Sequence, residues 1–161
     1  MSFTVENGSG VTGANSYASL EYAADYHAMR GNTAWGAATG PAQGTALVIA
    51  TDYIEATYRA HYRRMTASQG LQWPTDGIEG VPAPVKAATI ILAAYALTGP
   101  LSAPAQRGVK STTKKLAPLG EITTVYDDDS PGDPYPAITA LLAPIANANL
   151  SNTITVGRLI R

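Results

Sequence analysis

The stretch between Pro84 and Gly99-Pro100 reads as a helix that other helices must surround. Val85, Ala88, Leu92 and Tyr95 recur at helical spacing, and Ile90 with Ile91 widens the apolar face until nearly every side is covered. Pro84 suits a first helical turn, and Gly99-Pro100 ends the helix abruptly. The apolar run over residues 87–97 is too short to span a bilayer and is broken by Thr89 and Tyr95, so no membrane partner is expected. A segment of this kind belongs at the centre of a core.

The flanking pattern supplies the elements that would cover it. Ser19 can cap a helix running through Glu21 to Arg30 with Gly31 as its stop, and Tyr22, Tyr26 and Met29 share one of its faces. A second helix is predicted from Pro41 or Gln43 to Arg63, with Leu47, Ala50, Ile54 and Thr57 as its stripe. Between these two helices, a glycine-containing loop carries Trp35, and residues 65–83 form a long loop with Gln69, Leu71, Trp73 and the Asp76-Gly77 turn signal.

Beyond residue 100 the pattern changes. Alternation through Val109 to Lys115 and again through Ile122 to Tyr126, across a turn at Ala117-Pro118-Leu119-Gly120, predicts a β-hairpin arm over 108–127. A final helix over 134–148 carries Ile138, Leu141, Leu142 and Ile145, with Pro144 bending or ending it. An extended tail over 150–161 follows. The expected fold is mainly α: a small helical bundle of about four helices with a β-hairpin arm and an extended C-terminal tail. The 161 residues fit one domain, with the helical core over 1–100.

Charged residues make up 14%, well below the usual quarter or so, which leaves a neutral surface suited to burial against neighbouring subunits. A net charge of −1 provides no global field for nucleic acid. The absence of cysteine removes disulfides and thiolate metal sites. Met1 leads straight into polar residues without a signal pattern, so the chain is expected to start its life in a cytoplasm.

No constellation of catalytic residues stands out. Gly8, Gly10 and Gly13 spell G-x-G-x-x-G, but no βαβ unit follows and Thr33 stands where a ribose-binding acid would be, so a glycine-rich turn is the better reading. Gly40 to Thr45 lacks the lysine of a phosphate loop. His27 and His61 have no second histidine at ligand spacing and are read as structural. Asp127, Asp128 and Asp129 lack the pattern of a calcium loop and are read as a solvated acidic loop able to face a neighbouring subunit. No cofactor, metal or enzymatic activity is expected.

Two basic groups remain. Arg59, Arg63 and Arg64, interleaved with Tyr58, His61 and Tyr62, fit base stacking and phosphate neutralisation, the capping of a helix C-terminus, or an intersubunit salt-bridge surface. Lys110, Lys114 and Lys115 fit sequence-blind phosphate contacts or a solvated strand edge.

Four segments taken in order resemble one family. They are Asn15-Ser16-Tyr17 with Ala24-Asp25-Tyr26-His27, Arg30-Gly31-Asn32 and Trp35; Ala50-Thr51-Asp52-Tyr53-Ile54 leading to Tyr58-Arg59; Gln69-Gly70-Leu71-Gln72-Trp73-Pro74 with Gly77; and Val81-Pro82 with Val85-Lys86-Ala87-Ala88. This is similar to the phage and prophage proteins labelled DnaT-like single-stranded DNA-binding proteins, a group that by fold resembles head–tail adaptor (connector) proteins. The resemblance is best over residues 1–100. Thr75 departs from the basic residue often found after Trp-Pro, which weakens the case for nucleic-acid contact by that loop.

As an adaptor, the resemblance implies a dodecameric ring of identical subunits at the virion neck, assembled from protein made in the bacterial host cytoplasm. Portal protein would lie above it, stopper or tail-completion protein below, and double-stranded DNA in its lumen. It also implies that Thr153, Ile154, Thr155, Val156, Arg158, Leu159, Ile160 and Arg161 reach the portal. The lysine and aspartate groups of the arm would then dock neighbours head to tail. The adaptor is the expectation, and a DnaT-like single-stranded DNA-binding accessory protein is the alternative.

Overall fold

The computed structural model describes residues 2–58, 63–101, 109–114, 122–126 and 133–151. They fall into two compact units, one of Met1–Ser102 with Ala137–Arg161 and one of Ala103–Pro136. The described residues contain five helices and a two-stranded hairpin: α1 (Leu20–Ala28), α2 (Thr33–Ala37), α3 (Gly40–Thr57), α4 (Ala83–Ala96), β1 (Val109–Lys114), β2 (Ile122–Tyr126) and α5 (Pro136–Ser151).

The core of the helical unit is the seam between α3 and α4. Val85, Ala88, Thr89, Ile90, Leu92 and Ala93 of α4 are buried, and α3 buries Gly44, Ala46, Leu47, Ala50, Thr51 and Ile54. The many small residues let the two backbones approach, while Leu47, Ile54, Ile90 and Leu92 contribute about 1.5–3 kcal/mol each by leaving water. Two threonines sit in this apolar seam without penalty. Each hydroxyl donates to the carbonyl four residues back, Thr51 to Leu47 and Thr89 to Val85, both at 2.9 Å. Ile138 and Leu142 of α5 are also buried.

Helix starts follow the capping residues. The Ser19 side chain accepts from the Tyr22 N–H at the start of α1, and the Thr39 side chain accepts from the Ala42 N–H at the start of α3. One helix was not expected. Asn32 caps α2, and burial of Trp35 pulls what reads as a loop into a short helical turn. With it, the described residues form five helices of a mainly α fold.

Two helix ends also differ. α3 stops at Thr57, six residues before Arg63. The chain instead enters a short ladder in which Asp76 N–H donates to Arg63 O at 2.8 Å and Met65 N–H to Pro74 O at 3.4 Å. α5 runs through Pro144 to Ser151. Pro144 and Ala140 are both exposed, so water can take the carbonyl that the missing N–H leaves free.

The second unit holds the hairpin. β1 and β2 are antiparallel, with Thr112 opposite Thr124, Lys114 opposite Ile122, and a bulge between Val109 and Ser111.

Candidate functional site

The glycine motif near the N-terminus is an anion cradle that the chain fills itself. Glu6 is buried, and its carboxylate accepts the N–H groups of Gly8 at 2.8 Å, Gly10 at 3.0 Å and Val11 at 2.8 Å. Successive backbone N–H groups of this kind form a nest for negative charge. Here the charge is a side chain two to five residues away, which explains the motif without a ligand. Gly8, at φ +100°, also lets the turn lie against Gly80, whose Cα would sit 2.8 Å from any Cβ added at Gly8.

The 63–81 loop is rigidly held. Gln69, nearly fully buried, donates through Nε2 to the carbonyls of Leu71, Gln72 and Pro74 and accepts from the Thr66 N–H. The hydroxyl of Tyr17 donates to Glu55 on α3 and accepts from the N–H groups of Gln72 and Trp73 at 3.0 and 3.3 Å. Burial, reinforced by the negative charge of Glu55, holds the Tyr17 phenol far above its usual range. Trp73 completes the contact with its ring edge-on to Tyr17, centroids 5.6 Å apart. The buried anchors of this loop, Gln69, Leu71 and Trp73, serve packing.

His27 is likewise structural. Its ring lies 4.7 Å from that of Trp35, Nε2 is 3.2 Å from the Ile90 carbonyl, and Nδ1 is 3.2 Å from the Asn32 amide. These partners fit a neutral ring that donates from Nε2 and accepts at Nδ1. Burial keeps its pKa below the usual value, and Arg30 adds to that.

The basic positions are divided by the fold. Arg63 and Arg64 are exposed, presented by the ladder with Pro74–Asp76 and not by a helix. Lys110 sits at the hairpin bulge and Lys114 opposite Ile122, in the other compact unit. Arg59, His61, Lys115, Asp127, Asp128 and Asp129 lie outside the described residues, as do Thr153, Ile154, Thr155, Val156, Arg158, Leu159, Ile160 and Arg161.

A feature not assigned from the sequence is the outward face of α1. Ala23 and His27 turn inward, while Tyr22 is 47% exposed and Met29 85% exposed. The Arg30 guanidinium lies 3.5 Å from the Tyr26 ring centroid. The signal was present in the spacing of Tyr22, Tyr26 and Met29, but spacing alone does not say which face is buried.

A groove of about 560 Å³ runs beside α3 and is lined by Phe3, Leu20, Pro41 and Val48 among others. Asp52 is its one ionisable lining residue, and partial burial raises its pKa. Among the described residues, no cluster of His, Asp or Glu could hold a metal ion, and no helix is long and apolar enough to cross a membrane.

Over residues 1–161 the chain matches the model of a family described as "Putative DnaT-like ssDNA binding protein". No curated protein and no solved structure gives a match.

Proposed function

The chain belongs to the DnaT-like ssDNA-binding family, and on that premise we propose that it is a non-enzymatic accessory protein that binds single-stranded DNA without sequence preference. The observation that supports this reading is the presentation of cations. Arg63 and Arg64 stand exposed on a backbone ladder, a position that suits contact with phosphates, and Lys110 and Lys114 belong to strand β1 of the hairpin in the other unit. With so few cations the affinity is modest and salt-sensitive. Each phosphate contact contributes about 0.7 to the slope of log K against log salt on a single strand. Titrating labelled single strands and duplex at several salt concentrations tests this. Preference for the single strand with a slope of a few contacts supports it, and no binding at low salt refutes it.

A second reading is the structural adaptor, a ring of identical subunits between portal and tail at the virion neck. It is favoured by the low charge of the chain, of which Lys, Arg, Asp and Glu make up only 14%. Such a surface suits subunit contacts better than a DNA groove. In this reading the 153–161 segment docks on the portal and double-stranded DNA passes through the ring. Mass spectrometry and cryo-electron microscopy of the necks of parent virions decide it: ring stoichiometry at the neck establishes the adaptor, and absence from particles excludes it.

A further inference from the structure

The outward face of α1 has three lanes. At about 100° per residue, Tyr22, Tyr26 and Met29 form a central stripe, Arg30 lies on one side of it, and Asp25 and Glu21 lie on the other. The side chains behind the stripe, Ala23 and His27, are the ones the core takes up, so the large residues of this helix are left in solvent. Tyr22, Met29 and Arg30 are exposed and Tyr26 is half-buried between them, and such a run on a short, well-capped helix is a surface suited to contact.

The order of the lanes is that of a single DNA strand lying along the helix. Arg30 is fixed over Tyr26 and tied to the Tyr26 carbonyl at 3.1 Å, so its charge is held at one edge with one guanidinium face in solvent. That edge suits phosphate. The ring of Tyr22 and the free face of the Arg30 guanidinium suit bases, which stack on aromatic and guanidinium planes. Asp25 and Glu21 repel phosphate and can accept hydrogen bonds from the exocyclic amino groups of cytosine, adenine or guanine. Thymine offers none.

We propose that Tyr22 and Arg30, the latter seated on Tyr26, form a base-stacking platform for single-stranded DNA on the outward face of α1, with the phosphates on the Arg30 edge and the base edges toward Asp25 and Glu21. This rests on the single-stranded DNA reading and gives it a surface distinct from the basic positions at Arg63, Arg64, Lys110 and Lys114.

The test uses the full-length protein with labelled oligo(dC) and oligo(dT) at low salt. Tyr22→Ala is expected to weaken oligo(dC) binding roughly 5- to 150-fold, the loss of one stacked base, while Tyr22→Phe retains it. Arg30→Ala is expected to weaken binding and reduce the salt slope by about 0.7. Because Tyr22 and Arg30 are exposed, circular dichroism should show both variants folded. Oligo(dC) binds more tightly than oligo(dT). If the unaltered protein binds single strands but Tyr22→Ala and Arg30→Ala bind equally well, the platform is refuted and the DNA-binding reading stands. Tighter binding of oligo(dT) overturns the order of the lanes. No binding by the unaltered protein removes both the platform and the reading.

Discussion

The phenol of Tyr17 donates to the carboxylate of Glu55, and the N–H of Gln72 donates to both oxygens of that pair, 3.0 Å from each. One buried hydroxyl thus joins the N-terminal arm, α3 and the 63–81 loop. Without it the Trp73 N–H would lose its acceptor and the Gln72 N–H would keep only Glu55. Tyr17→Phe keeps the ring against Trp73 and removes only the oxygen. It should lower stability by about 1–3 kcal/mol and speed hydrogen exchange at Gln72 and Trp73. Urea denaturation with exchange mass spectrometry measures both, and unchanged exchange at those two amides would show that the hydroxyl holds nothing.

The Glu6 cradle makes a parallel prediction. Glu6→Gln turns one accepting oxygen into an N–H donor that faces backbone donors, so a cost of about 1–3 kcal/mol is expected. If the turn instead served an external phosphate, removing the internal carboxylate would free it to bind anions. Calorimetry of Glu6→Gln with inorganic pyrophosphate should show no binding.

Acid should destabilise the protein through His27. Its folded pKa is depressed, so below the unfolded value near 6.5 the unfolded chain binds more protons than the native one. The stability this group contributes is therefore complete above pH 6.5 and declines as pH falls through 6.5 toward the lower folded value. A His27→Gln variant, unable to titrate, should lose that part of the pH slope. Denaturation midpoints measured in steps from pH 7.5 downward reveal it, and equal slopes in both proteins would be the contrary result.

Gly70 marks where the 63–81 loop crosses the N-terminal arm. A Cβ there would lie 2.6 Å from the Ala14 carbonyl oxygen and 3.0 Å from the Ala14 nitrogen. Gly70→Ala must shift backbone and should cost about 1–3 kcal/mol. At Gly99 the same addition meets nothing within 4 Å, so Gly99→Ala should stay within about 0.5 kcal/mol of the parent. Thermal melts of the two variants side by side provide the comparison.

Much of this architecture is legible in the sequence because the physics that sets it is local. The i, i+3, i+4 pattern of α4 buries Val85, Ala88 and Leu92, although Tyr95 at the end of the same stripe is 52% exposed and the helix is not covered on every side, and Ser19 finds its partner N–H three residues on. The hairpin follows from alternation across a turn. Other features depend on groups far apart in the chain. Tyr17 meets Glu55 across 38 residues, and His27 meets the Ile90 carbonyl across 63. No periodicity encodes such pairs. The helix at Trp35 was decided by burial of a single indole. The candidate surface divides in the same way. The spacing of Tyr22, Tyr26 and Met29 put them on one face of a helix, but only the packing of Ala23 and His27 against the core turned that face to solvent, because a helix pattern defines faces and the rest of the fold chooses which one to bury.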